Sequence, residues 1–215
     1  MKLSSFSRPQ ADTSDGSETA GDSPRIGIIA GTRVATTIGW RPIEEVKPGD
    51  RVLTFDGGLQ EVARVEHSKL WSKAKACPRK QWPLSVPVEA LGNQTPMQLL
   101  PEQPVMLESD AAEDIFGDPF TLMAAEALEG FRGIRRELPD ASTEIVTLYF
   151  ETEQLVFANI GALFLCPADT SLSAGDDEGT SETYSLLPIE RATDLTRIIA
   201  EDEARRRDMA YADEN

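Results

Sequence analysis

Residues Gly31 to Asp56 read G-T-R-V-A-T-T-I-G-W-R-P-I-E-E-V-K-P-G-D-R-V-L-T-F-D, and their punctuation decides the fold class. β-Branched runs are broken by Gly39, by Pro48-Gly49-Asp50 and, just beyond, by Asp56-Gly57-Gly58, which is the signature of short strands joined by tight turns. Arg33 to Ile38 carries Val34, Thr36, Thr37 and Ile38, side chains stiff at χ1 that suit a pleated surface, and Gly39 allows a turn at positive φ. A second strand is not to be assumed directly after that turn. Ile43 and Val46 are three apart around Glu44 and Glu45, so one helical or 3₁₀ turn presses both apolar groups inward before Pro48 stops it. Arg51 to Phe55 alternates, and Gln60 to Val65 resumes the alternation, which predicts a hairpin.

Outside this stretch the chain divides by composition. Met1 to Arg25 is Ser, Thr, Asp, Gly and Pro with few apolar anchors, and reads as a disordered N-terminal arm, with a recognition tail as the alternative. Residues 26–167 are read as the β domain, 168–187 as an acidic linker and 188–215 as a C-terminal amphipathic helix and tail. Prolines at 87, 96, 101 and 104 limit Leu84 to Leu107 to short strands. Ser109 to Asp118 is polar and acidic enough to read as a surface loop. Phe120 to Leu128 suits a strand or a short helix, turning helical over Ala124 to Leu128 with Gly130 ending it. Glu144 to Ala158 is expected to form two strands meeting near Glu151 to Gln154. Pro188 to Met209 places Ile189, Ala192, Leu195, Ile198 and Ile199 at helical spacing, and its polar side aligns Glu201 with Arg205, Asp202 with Arg206 and Glu203 with Arg207. Such pairs add only about 0.2–0.5 kcal/mol each, so this helix needs a surface, in its own domain or on a protein or peptide partner.

Charge and cysteine content narrow the function classes. A formal net charge of -16 repels a phosphate backbone, which argues against a nucleic-acid partner. The one basic stretch, Glu66 to Pro83, interleaves Lys69, Lys73, Lys75, Arg79 and Lys80 with Trp71 and Trp82. It reads as a lysine-guarded strand edge or loop rather than a strand-binding platform. No apolar run is long enough to span a bilayer and the first residues lack the apolar core of a secretory signal, so the expectation is a cytoplasmic protein with no membrane partner, signal-less secretion aside. Cys77 and Cys166 are far apart and the chain has a single histidine, His67. One His and two scattered Cys do not make a tetrahedral site, so no metal and no cofactor is expected, and two buried thiols are the expected state unless the two cysteines approach closely enough to pair.

The runs A-G-T-R-V-A-T, R-P-I-E-E-V-K-P-G-D-R-V-L-T and D-G-G, together with Phe120 to Arg136 and Ile145 to Asn159, resemble Hint domains, the fold shared by the Hedgehog autoprocessing region and inteins. The resemblance covers Ile26 to Pro167 and is strongest to an alphaproteobacterial subgroup. It implies a mostly β fold, and it implies a chemistry in which a Cys or Ser at the first domain residue attacks the preceding carbonyl while a histidine helps the amide nitrogen depart. Counting back from the motif residues Gly31 and Thr32, the nucleophile position falls on Gly27. The histidine position falls on Gln103, within Leu100-Pro101-Glu102-Gln103, and a second histidine position falls on Glu153. None of the three carries the family's group, and glutamine cannot carry a proton near neutrality. Inteins also end on a cyclising Asn, but Ile160-Gly161 follows Asn159 here, so Asn159 reads as a turn former.

The resulting expectation is a Hint-like protein without autoprocessing activity that serves as a scaffold or interaction module. The alternative is self-cleavage with an atypical nucleophile, for which Ser23 or Thr32 would need a base such as Glu44, Glu45 or Glu102.

Overall fold

A computed structural model describes residues 26–70, 77–140, 142–172 and 184–213. The N-terminal arm with Ser23, the residues Trp71, Lys73 and Lys75, and most of the acidic linker lie outside the described residues.

Six strands form one sheet: β1 (Ile28–Ile29), β6 (Arg64–Lys69), β7 (Leu84–Val86), β8 (Met97–Leu99), β11 (Arg135–Arg136) and β12 (Glu144–Tyr149). Their order is β11-β7-β8-β1-β12-β6. Nine strands form the other: β2 (Arg33–Thr36), β3 (Gly39–Pro42), β4 (Arg51–Thr54), β5 (Gly58–Glu61), β9 (Pro104–Glu108), β10 (Phe120–Ala124), β13 (Gln154–Ala158), β14 (Ala162–Cys166) and β15 (Leu186–Leu187). This sheet runs β15-β10-β9-β14-β13-β2-β4-β5, with β3 paired to β2. The fold is mostly β, with α1 (Asp110–Phe116) and the C-terminal α2 (Ile189–Asp213) as its α-helices. One hydrophobic core joins the layers, taking Ile28, Leu99 and Val146 from the first sheet, Val34, Val156 and Phe164 from the second, and Ala192, Leu195 and Ile199 from α2.

The opening stretch folds largely as its punctuation requires. Ile43–Glu45 is a 3₁₀ turn with Ile43 and Val46 both buried. Beta strands β4 and β5 form the expected hairpin, but the chain then changes sheets, so Arg64–Lys69 pairs with β12 rather than extending β5. A second strand, not assumed from the residues, does follow Gly39. Gly39 at φ 105° closes a tight turn, Thr36 Oγ1 donates to Gly39 O at 2.7 Å, and Gly39–Pro42 pairs along the whole of β2. The cross-strand partners, invisible in so short a run as G-W-R-P, supply what its composition does not.

Ser109 to Asp118 is a helix and not a loop. The Ser109 side chain accepts the Ala112 N–H, Asp110 and Glu113 sit in the first turn, and Gly117 at φ 79° ends the helix by donating to Glu113 O. The acidity that suggested a loop is the charge an N-terminal turn favours. The two strands expected between Glu144 and Ala158 are present, each in a different sheet.

The surface that α2 needs is its own domain. Thr196 Oγ1 donates to Ala127 O at 3.2 Å, and the two-residue β15 joins β10 in parallel just before the helix begins. The ion pairs on the helix differ from the expected ones: Glu201 pairs back with Arg197, and two of the other side chains tie to the domain. Glu203 binds Arg132, Arg206 binds Asp110, and Asp202 turns to Arg205 three residues on. Glu203 and Arg206 lie within reach of fixed partners on neighbouring elements and pair with those, while Arg197 keeps exposed contacts to Asp194 and Glu201 along the helix.

Among the described residues, no helix is long and apolar enough to cross a membrane. Cys77 and Cys166 are both buried, and burial pushes the Cys166 pKa up to about 12.

Candidate functional site

The centre of interest is the peptide bond between Ile26 and Gly27, where the chain enters β1. Short though it is, β1 sits between β8 and β12, with Ile28 opposite Leu99 on one side and Val146 on the other. That double pairing carries Gly27 into the interior beside the turn Leu100 to Gln103, which follows β8 directly. Gln103 is 1% exposed, and its side-chain oxygen accepts the Gly27 N–H at 2.9 Å. Its amide nitrogen donates to Pro104 O at 3.0 Å and to Leu165 O at 2.9 Å. One carboxamide therefore joins β1, β9 and β14, and each of its polar atoms is engaged with backbone.

The other end of the same peptide unit is held from β12. Thr147 Oγ1 donates to the carbonyl oxygen of Ile26 at 3.0 Å. Sequence reasoning placed Thr147 only within a strand. The signal that could have singled it out, a hydroxyl on a strand of otherwise apolar inward positions, becomes readable only once β12 is known to flank β1.

The space at residue 27 is closed. A Cβ built on Gly27 would overlap Ile145 Cγ2 and lie 2.8 Å from Thr147 Oγ1, distances that real Cβ atoms do not show. Glycine here is a packing requirement of the strand crossing.

The remaining sequence-selected residues are dispersed. Gly31, at φ 89°, and buried Thr32 form the turn after β1, where the Gly31 N–H donates to Glu44 Oε2 at 2.9 Å and Thr32 O accepts from Ile43 N. Glu44 is thereby a turn clamp, Glu45 pairs with Arg41, and Glu102 is exposed. His67 lies on the edge strand β6 with Nδ1 2.6 Å from Glu144 Oε1. Asn159, buried at φ 44°, accepts the Arg33 N–H at 2.8 Å through its side chain and turns the chain from β13 into β14. Glu153 belongs to a different polar group: its Oε2 is buried without a hydrogen-bond partner, near Tyr184, whose hydroxyl donates to Asp56 at 2.6 Å. Burial, then Asp56 and Glu153, push the Tyr184 phenol pKa upward.

Of the three positions singled out in the sequence, Gly27 and Gln103 meet and Glu153 lies apart from them. The arrangement holds a peptide bond at both of its polar ends, a geometry suited to fixing a backbone rather than exchanging its proton.

A Hint domain family model matches residues 26–163, and the chain belongs to that family. Among solved structures, the bacterial intein-like domain from Clostridium thermocellum aligns with 13% identity over 65% of this chain and 98% of its own, at a TM-score of 0.46. A splice-inactive variant of the AceL NrdHF class 3 split intein aligns with 14% identity over 67% of this chain and 99% of its own, at a TM-score of 0.40. No curated protein sequence matches.

Proposed function

We propose that this chain is a Hint domain without self-cleavage that serves as a binding scaffold, with the alphaproteobacterial subgroup as its nearest setting. The observation that carries the reading is the two-ended clamp on the Ile26–Gly27 peptide.

Cleavage at that bond needs a nucleophile at residue 27 and a proton delivered to its nitrogen. Gly27 offers no side chain, and the overlap a Cβ would make with Ile145 leaves no room for one. Gln103 accepts the hydrogen of that nitrogen, so at this atom it acts in the sense opposite to a proton donor. The bond to Gln103 holds the Gly27 nitrogen without supplying the proton its departure needs, while Thr147 fixes the carbonyl oxygen. Thr147 is a hydroxyl in reach of the carbonyl oxygen, yet no imidazole adjoins it; His67 is engaged with Glu144 on an exposed edge. The Gln103 side chain instead does structural work for three strands.

Binding to a protein or peptide is the companion reading, and its surface is not the apolar face of α2, which the domain itself buries through Ala192, Leu195 and Ile199. The buried free thiol of Cys166 supports a reducing, cytoplasmic setting.

The test is a reporter protein fused ahead of residue 1 and incubated with dithiothreitol. The fusion stays intact on this account; thiol-dependent release of the reporter would overturn it.

A further inference from the structure

The two sheets treat their outer edges differently. Edge strand β6 is guarded by Arg64, Glu66, His67 and Lys69, the usual defence against pairing with another chain. Edge strand β5, Gly58-Leu59-Gln60-Glu61, has no lysine or proline and shows Leu59 at 45% exposure. Its register continues from the bonds Val62 N to Asp50 O and Gly49 N to Val62 O, both 2.8 Å. By the alternation of an antiparallel ladder, Gln60 and Gly58 then face β4, while Leu59 and Glu61 direct their N–H and C=O groups outward.

The face beside that edge is apolar where solvent would favour polar residues. Trp40 stands opposite Ala35, Leu53 opposite Leu59, and the pairing of Thr36 with Val52 brings Ala35 beside Leu53. A single cross-strand row therefore runs Trp40, Ala35, Leu53, Leu59 to the open edge, with Leu53 38% exposed. Two residues along the same face from Leu59 stands Glu61, with Arg51 opposite it on β4 and the outer side left for a second cross-strand partner.

We propose that β5 is a strand-addition site for an extended peptide that pairs antiparallel to it, with an apolar residue opposite Leu59 and a Lys or Arg two positions earlier, opposite Glu61. The row of apolar side chains supplies the pocket for the first, and cross-strand charge pairing selects the second. The net charge of -16 favours a basic peptide over a second copy of this equally acidic chain. The assignment rests on the domain being a binding scaffold and names where and what it binds.

The test titrates the full chain with a short fluorescent peptide of Thr and Val containing Lys-x-Phe, and with its Glu-x-Phe counterpart, while amide NMR maps the contact. The Lys peptide is expected to bind with shifts centred on Leu59 and Glu61, the Glu peptide at least about tenfold more weakly. Leu59→Lys, at an exposed position that leaves the fold intact, and Glu61→Lys are each expected to weaken the Lys peptide by about tenfold or more. Equal affinity in Leu59→Lys, shifts on the α1 and α2 side, or no binding of the Lys peptide would overturn the site. So would a dimer in sedimentation that Leu59→Lys dissolves, since a second copy would then occupy the edge. A chain that sheds its first residues yet still binds the peptide at β5 would contradict the non-cleaving reading and leave this site standing.

Discussion

Gln103 Oε1 accepts the Gly27 N–H at 2.9 Å across 76 residues of sequence, and both partners are buried. The pair ties the entry of the chain to the turn after β8.

Truncating Gln103 removes the side-chain partner of the buried Gly27 N–H and its bonds to Pro104 O and Leu165 O. A buried polar group left unsatisfied costs about 1–3 kcal/mol. Gln103→Ala is expected to lower the unfolding free energy by about 3 kcal/mol in urea titrations, taking partial relaxation into account. A change under about 0.5 kcal/mol would mean that water replaces the carboxamide freely.

Gly27→Ala tests the closed space. The added methyl meets Ile145 Cγ2 and Thr147 Oγ1, so overpacking should cost about 1–3 kcal/mol. Combining it with Ile145→Ala is expected to destabilise by less than the sum of the two single changes, because the second removes the atom the first strikes. Strict additivity would show that the methyl goes elsewhere.

Leu195 is 1% exposed in the main core, so Leu195→Ala should cost about 2–5 kcal/mol by thermal or urea unfolding. The Arg132 and Glu203 pair, with each side chain about one-third exposed, should couple by no more than about 1 kcal/mol in a double-mutant cycle. The helix is thus held by its apolar seat, and the ion pair sets its register. The reverse ranking would make α2 an electrostatic appendage.

The Ser171 hydroxyl and N–H, with Arg64 alongside, hold the Asp169 carboxyl below its usual range. A depressed folded value contributes stability that is complete above the unfolded pKa, about 3.9, and is lost as pH falls through the folded value. Urea midpoints measured from neutral pH downward should therefore fall on the acid side, and Asp169→Asn should flatten that limb. An unchanged limb would remove Asp169 as a contributor.

Much of the nine-stranded sheet was legible in one short stretch, because Gly39, Pro48-Gly49-Asp50 and Asp56-Gly57-Gly58 each demand a turn and the runs between them alternate. Strand β3 was not, since Gly39-Trp40-Arg41-Pro42 has little intrinsic strand preference and owes its form to pairing with β2. Helix α1 was hidden for a different reason: its cap, Ser109, and its stop, Gly117, are also the residues of loops, and only Ala112, fully buried, distinguishes the two. At the site, the resemblance brought Gly27 into view by counting back from Gly31 and Thr32, and Gln103 through the run Leu100-Pro101-Glu102-Gln103. That they touch, and that Thr147 completes the clamp, depends on which strands flank β1, and no local pattern encodes that.

The most direct test of the central claim is the intact mass of the full chain after prolonged incubation with hydroxylamine, which captures any ester or thioester formed in the backbone. The account predicts a single species at the full 23.5 kDa. A species lacking residues 1–26, cut between Ile26 and Gly27, would contradict it.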